Sequence, residues 1–310
     1  MSTFPPPRKS LLAAGKLTVV LLIPIVAVVA LLGGGAVLPA TMGLLSVSFV
    51  PYFSVREALG LSGILCLVGA AATAANGHPV AVVIVVVVVC LLAGLLSRVS
   101  GGVYAVAPSV AAVLGLSPSV HNSPLGTAAI MLAVCAYTIA VVHLLKLRLD
   151  REPVPFEVAI RHAVVMAVAC GAATAVAVHY NWPRSYWLVM TLAIVLRPYA
   201  GDSLVKNRQR VVGTILGAAV AALLSPLPQS MHLVLTAVCL TLMLAYMVQR
   251  DYVLQVAFMT PMVIFLVSSG SAGSALAMDG LRVLYTIGAA VAGALLSQAL
   301  VRESAVPAQS

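Results

Sequence analysis

Ala81-Val82-Val83-Ile84-Val85-Val86-Val87-Val88-Val89-Cys90 is almost pure valine and isoleucine, and Leu91-Leu92-Ala93-Gly94-Leu95-Leu96 extends it to the charge at Arg98. Alone and in water, such a run reads as a buried strand. With the leucines that follow, its length approaches the roughly 20 residues needed to cross a hydrocarbon layer about 30 Å thick. In that medium a helix satisfies its own backbone polar groups, which an isolated strand does not. The run therefore predicts a transmembrane helix.

The pattern recurs along the whole chain. Of 310 residues 62% are apolar and 8% charged, against roughly a quarter charged in a soluble domain. Short polar breaks separate twelve candidate spans, near residues 17–33, 36–53, 58–75, 79–97, 102–116, 125–147, 160–179, 185–199, 208–225, 231–248, 252–269 and 279–301. The expected fold is an all-α integral membrane protein of about twelve transmembrane helices. Arg8, Lys9 and Lys16 precede an apolar run too long for the roughly 7 to 15 residues of a signal-peptide core, so that run is kept as the first span.

Cytoplasmic loops retain lysine and arginine. With the N-terminus inside, the inner breaks hold fifteen of the seventeen basic residues, leaving Arg184 and Arg282 outside. Both termini are thus expected in the cytoplasm. The net charge of +9 is scattered over helix ends, without the basic stripe or aromatic-flanked groove of a nucleic-acid binder. Cys66, Cys90, Cys135, Cys170 and Cys239 lie singly inside spans and read as small packing residues rather than a disulfide or metal framework.

The most charged segment, Leu147 to Arg161, carries Pro153 and Pro155 and divides the chain into a first six-helix half, residues 1–150, and a second, residues 151–310. Ser46 to Tyr52 resembles Ala193 to Tyr199, each ending in Pro-Tyr. In the helices that follow, Arg56 precedes Gly63 as Arg210 precedes Gly217, seven residues apart. An even number of spans per half predicts two parallel repeats with a pathway at their interface, the first of them degenerate. Gly213 with Gly217, and Gly288 with Ala292, have the four-residue spacing of close helix packing.

Three motifs of the second half carry a family resemblance: Tyr186-Trp187-Leu188-Val189-Met190-Thr191; Arg197-Pro198-Tyr199-Ala200-Gly201-Asp202-Ser203; and Arg208-Gln209-Arg210-Val211-Val212-Gly213-Thr214-Ile215-Leu216-Gly217. They resemble the fusaric acid resistance-like family of bacterial inner-membrane proteins, of the aromatic acid exporter type. Arg282-Val283-Leu284-Tyr285-Thr286-Ile287-Gly288 resembles the arginine-containing helix that closes the same unit, and Tyr252 to Pro261 its central hairpin. The resemblance covers roughly residues 160–301 and, weakly, 36–116, where the Gly-Thr pair and a match to Arg282 are absent. It implies export of aromatic or other organic acids, with plant malate channels as distant relatives that conduct anions passively.

An anion in transit needs cations or oriented donors, because a bare charge in hydrocarbon costs several kcal/mol or more. Arg197, Arg210, Arg250 and Arg282 are the candidates, with hydroxyls from Thr191, Thr214, Thr260 and Thr286 and the Tyr252 ring beside them. Arg282 departs from the positive-inside pattern; its plainer readings are an ion pair with Asp279 or snorkelling. Threonines more often bond back to their own helix. Around Trp182, Arg184 and Trp187 an aromatic acid has a stacking surface and a guanidinium, although an interfacial aromatic belt explains the same residues.

His78, His121, His179 and His232 fall in or beside outer breaks without shared ligand spacing, so no metal site is expected. All eight acids sit at span ends or in breaks, and His143 and His162 read as packed rather than proton-relaying. A channel-like or weakly coupled route follows. No Walker loop, dinucleotide fingerprint, His-Glu-x-x-His or nucleophile elbow is present, so neither an enzyme nor a cofactor is expected. The expected partners are a small-molecule organic anion and the lipid bilayer, not nucleic acid, with a second copy of the chain or a periplasmic adaptor left open. The competing reading is a non-transporting membrane partner of an envelope complex.

Overall fold

The computed structural model describes residues 6–100, 102–118, 122–249, 251–267, 272–298 and 300. Among them every regular element is helical: α1 Arg8–Leu32, α2 Val37–Leu44, α3 Val55–Ala75, α4 Pro79–Ser100, α5 Val106–Leu116, α6 Pro124–Leu144, α7 Phe156–His179, α8 Tyr186–Val195, α9 Ala200–Leu224, α10 Gln229–Val248, α11 Tyr252–Val267 and α12 Ala272–Ser297. The valine run falls within α4, as its length and setting predict.

Each expected span meets a helix. Seven segments of the described residues are long and apolar enough to cross a membrane: 14–32, 34–52, 55–75, 79–99, 124–144, 156–179 and 280–297. The protein is therefore a multi-pass membrane protein. α5 has 11 residues and α8 has 10, about 15–17 Å at 1.5 Å per residue, half of a hydrocarbon layer. Both are cut short by backbone chemistry. Gly102, at φ +87°, precedes the 3-10 turn that leads into α5, and Pro198 keeps the chain ahead of it from continuing α8.

The chain forms two compact units, residues 1–22 with 205–290, and residues 23–204 with 291–310. The division into halves 1–150 and 151–310 concerns sequence repetition and remains a proposal.

In the larger unit α4 lies against α7 so closely that a Cβ on Gly94 would stand 2.6 Å from Ala163 Cβ and 2.8 Å from its backbone nitrogen. Cys90 meets Cys170 across this pair, and Cys66 meets Cys135 between α3 and α6. Gly43 of α2 packs on the Met131 carbonyl of α6, and Thr73 donates to Thr127 at 3.2 Å. Asn76, just past α3, donates to the Leu114 and Ser117 carbonyls at 2.9 and 2.8 Å, satisfying orphan acceptors at the end of α5.

The charged connection is fastened within this unit. Arg151 donates to the Tyr52 carbonyl at 2.7 Å and to Glu57 at 2.6 Å, and its guanidinium lies over the Phe53 ring at 4.4 Å. Arg148 reaches the Phe53 carbonyl at 3.0 Å, while Ser54 and Glu57 form a capping box on α3. Arg151→Ala removes three of these contacts at once. Limited proteolysis of the variant is expected to cut residues 147–155 several-fold faster than in the wild type; an unchanged rate would mean that the fastening is incidental.

The smaller unit holds the start of α1, most of α9, all of α10 and α11, and most of α12. Tyr246 and Phe258 stack at 5.6 Å across the α10–α11 hairpin, and Thr18 of α1 shares a 3.1 Å hydroxyl contact with Thr241 of α10. Gly213 and Gly217 pack on α11 as their spacing predicts: a Cβ would stand 2.6 Å from the Val253 carbonyl and 2.5 Å from that of Ala257, respectively. Gly288 differs from expectation and lies on an exposed face of α12. Gly63, which matches Gly217 in sequence, has no atom within 4 Å of its would-be Cβ.

Candidate functional site

The buried stripe of α9 in the smaller unit runs Asn207, Arg210, Thr214, Gly217, Ala221. Steps of three and four put these residues on one helical face. In a soluble protein this stripe would be aliphatic. Here its middle is polar, with Arg210 2% exposed and Thr214 1%.

α12 begins seven residues before the expected boundary, so Arg282 is its eleventh residue and the third of the crossing segment 280–297. Arg210 is likewise the eleventh residue of α9, which begins at Ala200 rather than near residue 208. Each guanidinium thus springs from a Cα about 15 Å along its helix. Arg282 is also 2% exposed, which removes the snorkelling reading, since a snorkelling chain carries its charge to water. Asp279, its expected ion-pair partner, has a side chain outside the described residues.

Asn207 fixes the register between α9 and α12 by donating to the Ala290 carbonyl at 2.6 Å. Arg210 and Thr214 continue the Asn207 face of α9, and Thr286 and Arg282 lie one and two turns before Ala290 on α12. From α11, Tyr252 accepts a 3.4 Å bond from Arg210 Nη1 and has Lys206 Nζ over its ring at 3.1 Å. Thr260 donates to the Val256 carbonyl of its own helix, as mid-span threonines commonly do.

The stripe contains polar atoms with no partner among the described residues: Arg210 Nε, Thr214 Oγ1 and Asn207 Oδ1. Leaving such groups dry costs about 1–3 kcal/mol each, and more for a charged one. No Asp or Glu side chain is buried among the described residues. The smaller unit therefore offers guanidinium and hydroxyl donors inside a helical bundle, suited to a negatively charged or hydrogen-bond-accepting solute.

Residues 168–297 match the family model for fusaric acid resistance protein-like proteins. The matched segment takes in α9 to α12 whole, with α8 and the second half of α7, and so contains the entire polar stripe. An uncharacterized protein of Haemophilus influenzae (strain ATCC 51907 / DSM 11121 / KW20 / Rd) is 35% identical over 81 residues, which is 26% of this chain. The matched stretch spans only 11% of that relative's length. No solved structure matches the chain.

The expected site residues fall in two places. Arg210, Thr214, Tyr252, Arg282 and Thr286 are in the smaller unit, on the helices just described. Arg197 and Trp187 belong to the larger unit. There Arg197 is half-buried and serves the turn after α8: its backbone N–H donates to Ser203 Oγ at 2.8 Å and its guanidinium to the Gly102 carbonyl at 3.3 Å. His162 sits against the Leu196 carbonyl of the same turn at 3.2 Å. Trp187 tilts on Tyr186 at 5.2 Å. Arg250 lies outside the described residues, as does His121. Among the described residues no cluster of three or more His, Cys, Asp or Glu has metal-binding geometry.

Asn207 is hidden in the sequence because it lies among charges that read as a loop. The signal that finds it is its place three residues before Arg210 and seven before Thr214, the period of one helical face. His232, expected beside an outer break, is buried instead, stacked on Phe265 at 4.9 Å.

Proposed function

We propose that this protein moves organic anions across the bacterial inner membrane, with aromatic carboxylic acids leaving the cell as the substrate class and both termini in the cytoplasm. The observation that carries the reading is the pair of buried arginines half-way along α9 and α12, accompanied by Thr214 and Thr286. The fusaric acid resistance protein-like match over that segment supports it. Arg210 and Arg282 compensate the carboxylate, and Tyr252 offers a ring to an aromatic body. An array of donors in a water-poor bundle does for an anion what its hydration shell does outside.

The absence of a buried carboxylate among the described residues favours a second form of the same reading, passive conduction without a proton relay. Purified protein in liposomes is expected to take up a labelled aromatic carboxylate, and Arg282→Ala to lower the initial rate at least tenfold with unchanged reconstitution. Equal rates would remove the arginine from the route. Dissipating an imposed pH gradient separates the two forms: uptake that survives is passive, and uptake that stops is proton-coupled. Liposomes that carry no anion at all, with a stoichiometric protein partner recovered from the membrane, would replace transport by a scaffolding role.

A further inference from the structure

Lys206, absent from the expected site, stands one helical turn before Arg210 on α9 in the smaller unit. Both reach the same aromatic side chain. The Lys206 ammonium lies over the Tyr252 ring, 3.1 Å from its centroid, and Arg210 Nη1 donates to the Tyr252 hydroxyl at 3.4 Å. A cation is drawn to an aromatic face out to about 6 Å, so the lysine contact is well inside the range that orients a ring. One neighbouring helix thus holds this ring by its face and by its tip. The backbone beneath it is fixed as well. Tyr252 is the first residue of α11, whose opening turn is closed by Leu254 N–H donating to Asp251 Oδ1 at 3.0 Å and by Gln255 N–H donating to the Asp251 carbonyl at 3.0 Å. Helical side chains lean back over the preceding turn, and at a first residue there is none. The direction of the ring therefore falls to the two cations.

The ring is half-buried, so part of its surface stays uncovered. Beside it Arg210 keeps a donor in hand: the residue is 2% exposed, yet its Nε has no partner among the described residues. A ring fixed next to a guanidinium with a donor to spare fits a solute that has an aromatic body and a carboxylate. The carboxylate takes charge-assisted hydrogen bonds from the guanidinium, and ring pairs gain affinity beyond the area they bury. A saturated acid finds the same guanidinium but no counterpart for its body. We propose that Lys206 is the positioning residue that makes the site selective for aromatic acids, by holding one face of Tyr252 so that the rest of the ring meets the aromatic body of an anion bound at Arg210. The inference rests on the organic-anion reading above and adds to it a residue that sets the substrate class.

The test reads Tyr252 directly. Full-length protein with fluorotyrosine at its nine tyrosines is purified in detergent, and the fluorine resonance of Tyr252 is identified as the one that Tyr252→Phe removes. Benzoate is expected to shift it at about fivefold lower concentration than cyclohexanecarboxylate, a saturated acid of similar size. Lys206→Met keeps the aliphatic stem and loses the charge. It is expected to move the resonance before any acid is added, and to erase the preference by weakening benzoate alone. Lys206→Arg, which restores a cation over the ring, is expected to restore the preference. A preference that survives in Lys206→Met, or a Tyr252 resonance that benzoate leaves in place, overturns the proposal. Liposomes that carry no benzoate, with the selective shift intact, would sink transport and leave Lys206 its role in a binding site.

Discussion

Gly94→Leu is expected to abolish the folded protein, leaving no monodisperse peak in detergent, and even Gly94→Ala is expected to lower the thermal midpoint by several degrees. The cause lies in what a side chain there would strike. The nearest atoms are the Cα, Cβ and nitrogen of Ala163, the last two only 2.6 and 2.8 Å from where a Cβ would stand. Two of the three are main-chain atoms of a helix, so no rotamer change relieves the clash and α4 must move from α7. Overpacking of this kind costs about 1–3 kcal/mol for the smallest insertions and more for larger ones. Membrane helices lack a hydrophobic force that would hold them together at a wider spacing, because lipid is as apolar as their side chains. Gly60→Ala is the matched control, since its Cβ meets nothing, and it should melt with the wild type. If Gly94→Leu and wild type unfold at the same temperature, close backbone contact between α4 and α7 is not what holds the larger unit together.

That contrast between two glycines shows where sequence reading stops. Composition and the valine run suffice for helices in a membrane, because a chain with 8% charge has no other medium. The four-residue spacing of Gly213 and Gly217 correctly announces a packing face. The same reasoning fails at Gly288, which is exposed. Spacing reveals that a helix has a smooth stripe, but only the neighbouring helix decides whether the stripe is used. Helix ends are misplaced for a related reason. Ala272-Gly273-Ser274 and the charged turn Asp202 to Arg210 look like loops in water, yet both continue helices, since small residues are tolerated in membrane helices. Asp202 in the first turn of α9 also favours the helix by meeting the positive end of its dipole. The difference matters for function: Arg282 lies near the start of the apolar segment 280–297, and it is its burial, at 2% exposed, that needs a reason.

Arg210→Met is expected to make the protein more stable and less active. Arg210 is 2% exposed, its Nη1 has one long contact of 3.4 Å to the Tyr252 hydroxyl, and its Nε has no partner among the described residues. No carboxylate lies within ion-pair distance of it among the described residues. Methionine fills much of the same volume without a charge to desolvate, and replacing poorly compensated buried charges by apolar side chains has stabilised other proteins by about 1–4 kcal/mol. The thermal midpoint is therefore expected to rise while carboxylate uptake in liposomes falls at least tenfold. Asn207→Leu separates this effect from general damage to the stripe. It breaks the 2.6 Å bond to the Ala290 carbonyl, a loss of about 0.5–1.5 kcal/mol, and should lower the midpoint. A cation kept for architecture would behave like Asn207, with its loss destabilising and its replacement by lysine restorative. A cation kept for a passing anion is a standing strain that the solute relieves, so its removal relaxes the fold and empties the route. Loss of stability in Arg210→Met with flux intact would assign the arginine to architecture and leave the anion pathway to be sought elsewhere.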